Sequence, residues 1–144
     1  MMDAIILAGG LGTRLRPFTE LVPKPMLRVG NRPFLEYVLD FLADGGAGTV
    51  CLAVSYRHQM IKDHFGSRYR GLNLTYSIEP KPLGTGGAIR QALAEISGAN
   101  VIVANGDTLF LVDLCDLWAA HLKSSVSLTI SVRPVAHAAR YGTV

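Results

Sequence analysis

Apolar residues follow two different periods along this chain, and segments of the two kinds alternate. Short apolar runs have the length and composition of β-strands. Between them, apolar residues recur every three or four positions, which is typical of helices that bury one face. The pattern predicts strands at 3–8, 49–55, 72–78, 100–107 and 126–134, and helices at 32–46, 57–66, 84–97 and 113–124.

This alternation is typical of a parallel sheet with helices on both faces. The run "DAIILA" at 3–8 lacks polar alternation, as expected of a central strand that is covered on both sides. We therefore expect an α/β protein, a Rossmann-like three-layer α/β/α sandwich with a mostly parallel sheet. No repeat or linker divides the chain, so the pattern predicts a single domain over 1–144.

The amino-acid composition indicates a folded globular protein. The chain has 144 residues, of which 49% are hydrophobic and 17% charged, as in a folded globular domain. It has no apolar run of membrane-spanning length and no signal-peptide pattern, so we expect a cytoplasmic protein without a membrane partner. Cys51 and Cys115 lie far apart in apolar stretches, which predicts that both are buried and reduced.

Positive charge is concentrated near the N-terminus, although the net charge is only +3. The basic residues of this segment are Arg14, Arg16, Lys24, Arg28 and Arg32. Sites for nucleic acid usually interleave such charges with aromatic residues, and this segment does not. The charge therefore favours a small polyanion, such as a nucleotide or a sugar phosphate, and not a nucleic acid.

A glycine-rich segment, "AGGLGTRLRP" at 8–17, follows the first predicted strand. Ligands of parallel α/β sheets bind at the carboxyl ends of the strands. Gly9, Gly10 and Gly12 would present backbone N–H groups to an anion, and Arg14 would add a guanidinium group. The segment matches neither a P-loop nor a dinucleotide-binding fingerprint. A glycine-rich turn with solvated arginines remains the alternative.

Two other polar positions are predicted at the same edge of the sheet. In "PKPM", prolines on both sides of Lys24 stiffen the backbone that carries this cation. In "NGD", Asp107 ends a predicted buried strand. A carboxylate there either caps the next segment or binds Mg²⁺ together with substrate phosphates.

The motifs "GGLGTRLRP", "PKPM", "PLGTGGAI" and "NGDTLF", in this order, resemble those of the sugar-phosphate nucleotidyltransferases. The likeness is strongest to the D-glycero-D-manno-heptose 1-phosphate guanylyltransferases. It implies transfer of GMP from GTP to a sugar 1-phosphate, with release of pyrophosphate and Mg²⁺ as cofactor. Mannose-1-phosphate guanylyltransferases, and uridylyl- or thymidylyltransferases acting on other sugar 1-phosphates, are the alternatives.

The resemblance also implies roles for individual residues. Arg14, Lys24 and Asp107 would be catalytic: Arg14 on the β- and γ-phosphates, Lys24 on the sugar phosphate, and Asp107 on Mg²⁺. Lys24 and Gly142 would contact the sugar phosphate. The implied nucleotide-binding residues are Leu7, Ala8, Gly9, Gly10, Gly12, Thr13, Arg14, Glu79, Gly84, Gly86 and Gly87.

Glu79 bears on the choice of base. Guanine offers two adjacent donors, and a carboxylate can accept both, whereas thymine and uracil suit an amide better. Glu79 therefore favours guanine, and an exposed loop glutamate beside Pro80 is the alternative.

Members of the resembled family continue past "RYGTV", so we expect the C-terminal part of the family domain to be missing here. The expectation that follows is weak GTP binding with little turnover by the 144-residue chain. A nucleotide-binding module remains an alternative to an enzyme. So does an inactive fragment that forms a homo-oligomer through an exposed sheet edge.

Overall fold

The computed structural model describes residues 2–135, which form short strands and helices in alternation. The strands are β1 (Met2–Leu7), β2 (Arg28–Val29), β3 (Arg32–Pro33), β4 (Ala47–Val54), β5 (Arg68–Tyr69), β6 (Leu72–Ile78) and β7 (Val101–Asn105). The α-helices are α1 (Phe34–Asp44), α2 (His58–Phe65), α3 (Gly84–Ala92) and α4 (Leu114–Lys123). Single 3₁₀ turns lie at Thr13–Leu15, Lys24–Met26 and Leu93–Glu95.

Five of the strands form one sheet in the order β5-β6-β4-β1-β7. The four longer strands are parallel, and the two-residue β5 is antiparallel to β6. Ile5 of β1 lies opposite Cys51 of β4 on one side and Val103 of β7 on the other. The carboxyl ends of β1, β4 and β7 therefore meet at one edge, and the mostly parallel α/β sheet is confirmed.

The sheet is buried on both faces along its inner strands β1 and β4, whereas β7 at its edge has no fully buried residue, contrary to the buried strand predicted at 100–107. Ile5 and Cys51 pack with Ala88 and Ala92 of α3 in one apolar cluster. Successive strand side chains point to opposite faces, and the next residue, Ile6, is also 0% exposed. Helix α1 buries its apolar residues and contacts β4, and α2 contacts β6. Burial of both faces agrees with the expected three-layer arrangement.

Asp40 links α1 to the hairpin formed by β5 and β6. Its carboxylate lies 2.6 Å from a guanidinium nitrogen of Arg32 and 2.9 Å from one of Arg70, and it accepts a hydrogen bond from the Tyr69 hydroxyl at 3.0 Å. Burial alone would raise the pKa of Asp40, but the hydrogen bonds from Arg70, Arg32 and Tyr69 lower it below its ordinary value. Burial, with the hydrogen bond to Asp40, raises the pKa of Tyr69 to about 12.

The predicted strand at 126–134 is wrong: this segment contains no strand in the structure. Val126, Leu128, Ile130 and Val132 alternate as the strand pattern requires, yet all four are more than half exposed. An alternating pattern specifies a strand only when a neighbouring strand supplies hydrogen bonds, and no described strand pairs with this segment.

Two compact units divide the chain, one at 1–111 and one at 112–144. The first holds the sheet with α1, α2 and α3, and the second holds α4. Among residues 2–135, no helix is long and apolar enough to cross a bilayer.

Cys51 is buried, which raises the pKa of its thiol, but Cys115 is exposed, contrary to expectation. Cys115 lies in the first turn of α4, where the apolar sequence around it does not decide which face is covered.

Candidate functional site

The glycine-rich segment leaves β1 at the edge of the sheet where the parallel strands end. The backbone N–H of Ala8 donates to the carbonyl of Ala53 at 2.8 Å, and the N–H of Gly106 donates to the carbonyl of Leu7 at 2.9 Å. These bonds hold the start of the loop between the ends of β4 and β7. Because the N–H of Ala8 is already paired, Ala8 offers no backbone donor to a ligand.

Beyond Ala8 the loop backbone is open. The backbone N–H groups of Gly9, Gly10, Leu11 and Gly12 donate no hydrogen bond to any residue in the described range 2–135. A Cβ atom added to Gly10 would meet nothing within 4 Å. A row of unpaired N–H groups in an open loop is the arrangement that anions bind in proteins.

Gly12 adopts a left-handed conformation, with φ of +62°. A Cβ atom there would lie 2.9 Å from the Thr19 methyl group and 3.2 Å from Cβ of Lys24. Both the backbone and the packing therefore require glycine at this position. The 3₁₀ turn Thr13–Leu15 follows at once and leaves Thr13 and Arg14 exposed.

Lys24 and Asp107 are in contact. The Nζ atom of Lys24 lies 2.5 Å from Oδ2 of Asp107, and the two side chains are 34% and 37% exposed. The 3₁₀ turn Lys24–Met26 fixes the lysine backbone because Pro25 and Met26 are buried. Asp107 follows β7, and its Oδ1 accepts a hydrogen bond from the Thr108 hydroxyl at 3.2 Å.

The capping alternative for Asp107 is wrong. The next helix is α4, and its N-terminal cap is Asp113, whose Oδ1 accepts the backbone N–H of Asp116 at 2.9 Å. Asp107 lies several residues before that helix and contacts Lys24 instead. Within the described chain, no group of three or more His, Cys, Asp or Glu side chains could hold a metal. A cation at Asp107 would therefore need most of its ligands from a bound molecule.

Glu79 is buried, at 8% exposure, so the exposed-loop alternative is wrong. One carboxylate oxygen, Oε2, accepts the backbone N–H of Leu83 at 3.1 Å. The other, Oε1, lies 2.8 Å from the position that a Cβ on Gly9 would occupy. Glu79 therefore connects the glycine loop to the segment that leads into α3.

The first turn of α3 carries three of the expected glycines. Gly84 has φ of +70° and begins the helix, and Gly84 and Gly86 are exposed with nothing near their Cβ positions. A Cβ on Gly87 would lie 2.7 Å from Cβ of Leu83, so Gly87 allows this turn to close.

The structure does not bring every expected residue into contact with the others. Arg14 is exposed and makes no hydrogen bond or ion pair with another residue of 2–135. Gly142 lies outside the described residues. The sequence pattern also missed Thr19 and Tyr56. The hydroxyl of Thr19 donates to the carbonyl of Gly12 at 2.8 Å, and that of Tyr56 donates to the carbonyl of Glu20 at 2.6 Å.

Comparison with known proteins places these features in a family. The sequence profile described as "Nucleotidyl transferase" matches residues 3–144. The chain is 48% identical to D-glycero-alpha-D-manno-heptose 1-phosphate guanylyltransferase of Aneurinibacillus thermoaerophilus, over 99% of this chain and 62% of that protein. It is 37% identical to mannose-1-phosphate guanylyltransferase of Mycobacterium tuberculosis, over 99% of this chain and 40% of that protein.

The fold also matches a solved structure, that of HddC from Yersinia pseudotuberculosis complexed with GMP-PN. The TM-score is 0.76 at 38% identity, and the match covers 85% of this chain and 55% of that one. The chain spans about three fifths, 62%, of the length of the Aneurinibacillus thermoaerophilus protein. The profile match covers nearly every residue and confirms the resemblance that the motifs indicated. The chain belongs to the nucleotidyl transferase family.

Proposed function

We propose that this chain carries the nucleotide-binding part of a guanylyltransferase that acts on D-glycero-D-manno-heptose 1-phosphate. A phosphate oxygen of the sugar 1-phosphate attacks the α-phosphorus of GTP. A new P–O bond forms as the bond to the β-phosphate oxygen breaks, giving a GDP-sugar and pyrophosphate. No covalent enzyme intermediate is needed, so the protein acts by positioning and by stabilising charge.

The observation that carries the proposal is the open row of N–H groups at Gly9–Gly12, next to the Lys24–Asp107 pair. The N–H groups would hold phosphate oxygens. Lys24 packs against Gly12 at the Cβ level and could reach a second phosphate from there. Arg14, exposed and without a partner in 2–135, would stabilise the leaving pyrophosphate.

The residues present fit Mg²⁺ as a metal held mainly by its nucleotide. Asp107 is partly exposed and would supply a carboxylate oxygen, and phosphate oxygens would supply most of the rest. Mg²⁺, when bound, neutralises negative charge on the phosphates.

Guanine and heptose are proposed from the relatives and from Glu79. Identity is 48% to the heptose enzyme and 37% to the mannose enzyme, so heptose 1-phosphate is the favoured acceptor. Glu79 lies beside Gly9, and its Oε1 accepts no hydrogen bond from the residues of 2–135, which supports pairing of this oxygen with a guanine donor.

Thermal unfolding with different nucleotides tests the base. At a hundredfold excess over Kd, GTP should stabilise the protein by about 2.7 kcal/mol and raise Tm by about 5–10 °C. UTP, dTTP and ATP at the same concentration should raise Tm less. Equal shifts from all four nucleotides would contradict guanine recognition.

Release of pyrophosphate tests the reaction and its acceptor. Little turnover is expected of the 144-residue chain, but with GTP it should release more pyrophosphate with heptose 1-phosphate than with mannose 1-phosphate. The reverse order would favour a mannose-1-phosphate guanylyltransferase. GTP binding without pyrophosphate release from either sugar would favour a nucleotide-binding module, and absence of nucleotide binding would favour an inactive fragment.

A further inference from the structure

Thr19 is a buried residue within an exposed loop. All six residues of 13–18 are exposed, as are Glu20 and Leu21, whereas Thr19 is 3% exposed. Burying a hydroxyl group is unfavourable unless it forms a hydrogen bond. Here the hydroxyl donates to the carbonyl of Gly12 at 2.8 Å.

This hydrogen bond closes the loop on itself. The carbonyl of Gly12 also accepts the N–H of Leu15 at 2.9 Å, and the N–H of Phe18 donates to the carbonyl of Leu15 at 3.0 Å. The segment from Gly12 to Thr19 is thus a series of turns whose two ends are joined by the Thr19 side chain. Its far side is tied to the sheet, because the Tyr56 hydroxyl donates to the carbonyl of Glu20 at 2.6 Å.

Thr19 also lies beside the residues that the proposed chemistry uses. Its methyl group is 2.9 Å from where a Cβ on Gly12 would be, and Cβ of Lys24 is 3.2 Å from the same point. Gly12 is therefore held between Thr19 and Lys24. A shift of Thr19 would move the left-handed turn at Gly12, and with it the direction of the neighbouring N–H groups.

We propose that Thr19 is a positioning residue, whose hydrogen bond to Gly12 holds the glycine loop in the conformation that binds the outer phosphates of the nucleotide. This role rests on the proposed function. Thr19 contacts neither the base nor the reacting atoms in this account. It acts through Gly12, and its effect should depend on how many phosphates the nucleotide carries.

Two substitutions separate the hydroxyl from the bulk of the side chain. Thr19→Val keeps the shape and removes the hydrogen bond, while the carbonyl of Gly12 keeps its bond from Leu15. Thr19→Ser keeps the hydroxyl. Thr75→Val is a matched control, because it removes a buried threonine hydroxyl from the middle of β6, opposite Cys51 of β4 and outside the glycine loop. Titration calorimetry with GTP and with GMP is done on all four proteins.

We expect Thr19→Val to weaken GTP binding about fivefold, as for the loss of one buried hydrogen bond, and to change GMP binding less than about twofold. Thr19→Ser and Thr75→Val should bind GTP as the unaltered chain does. Equal losses for GTP and GMP, or no loss, would overturn the positioning role. Failure of the unaltered chain to bind GTP would instead overturn the proposed function, and the role of Thr19 with it.

Tryptic cleavage reports the loop conformation without any nucleotide. Arg16 and Lys24 precede prolines, which block trypsin, so Arg14 is the cleavable basic residue between positions 9 and 27. Thr19→Val should speed cleavage after Arg14 about fivefold, because local opening becomes more frequent, while Thr19→Ser should not. Cleavage of Thr19→Val at the rate of the unaltered chain would overturn the proposal, whatever the nucleotide data.

Discussion

The ammonium group of Lys24 lies against the carboxylate of Asp107. The two side chains are about one third exposed, at 34% and 37%, and ion pairs with this exposure contribute only about 0.2–1 kcal/mol. A ligand with several negative charges can therefore separate the pair at little cost. Lys24 would then be available to a phosphate, and Asp107 to the metal that accompanies it.

The first residue-scale prediction follows from this competition. Lys24→Gln should increase the gain in GTP affinity that Mg²⁺ provides, by up to about fivefold, because the metal no longer displaces an ammonium group. Asp107→Asn should abolish that gain and leave much of the Mg²⁺-free binding. Calorimetric titration of GTP with and without Mg²⁺ measures both, with Lys62→Gln as the charge control. The same Mg²⁺ dependence in all variants would remove Asp107 from the metal site.

Glu79 carries the second prediction. Glu79→Gln keeps the size of the side chain and an oxygen that can accept the N–H of Leu83, but loses the charge. GTP affinity should fall about fivefold and UTP affinity should not fall, because hydrogen bonds to a charged acceptor are stronger by about 1 kcal/mol. Binding titrations with both nucleotides decide it, with Glu95→Gln as the control. Equal losses for GTP and UTP would mean that Glu79 only orders the loop.

At the scale of elements, Asp40 joins α1 to the β5–β6 hairpin. Its lowered folded-state pKa stabilises the protein above the unfolded value of about 4, and this contribution is lost as the pH falls through the folded pKa. Asp40→Asn should lower the free energy of unfolding at pH 7 by about 1–2 kcal/mol, and the difference should shrink as the pH falls below about 4.

Urea unfolding across this pH range measures the effect. Asp63→Asn is the control, since Asp63 is exposed and bonds only Gln59 within the described chain. A difference between Asp40→Asn and the unaltered chain that stays constant from pH 7 to pH 3 would contradict the assignment to the Asp40 charge.

The main strands and helices could be predicted from the sequence because the apolar pattern within each segment specifies them. Apart from Asp3, every buried residue of β1 is apolar, and α1 repeats its apolar residues at helical spacing between Pro33 and Gly45. The strands β2, β3 and β5 were missed because strands of two residues leave no periodic signal. The segment 126–134 has the alternating pattern of a strand, but no strand within residues 2–135 pairs with it.

The site could be predicted only in part. The order of its motifs located the glycine loop, Lys24 and Asp107, but not the contact between the last two, which depends on the sheet order. The burial of Glu79 and Thr19 was not predictable, because a polar residue in a loop has no pattern that marks it as covered. In the structure, each of these two side chains is covered and forms a hydrogen bond to the backbone, Thr19 to Gly12 and Glu79 to Leu83.

At the scale of the whole molecule, every described candidate residue lies in the unit at 1–111. GTP should therefore slow amide hydrogen exchange most in this unit, with the greatest protection in residues 9–14 and 79–87. Protection by a ligand at 100 times its Kd corresponds to about 2.7 kcal/mol. Exchange measured by mass spectrometry tests this, with ATP as the comparison. Protection confined to residues 112–135 would contradict the location of the site.

The sheet order also determines when during synthesis the site can form. β1 is synthesised first, but its partner β7 begins only at Val101. Lys24 cannot contact Asp107 until the ribosome has added the 83 residues that separate them in sequence. At about 5–20 residues per second, that interval lasts about 4–17 s on the ribosome. Contacts between residues so far apart in sequence offset the entropy cost of loop closure only after they have formed. A nucleotide that needs both side chains thus cannot stabilise an earlier nascent intermediate, and the growing chain must reach its native strand order without help from its ligand.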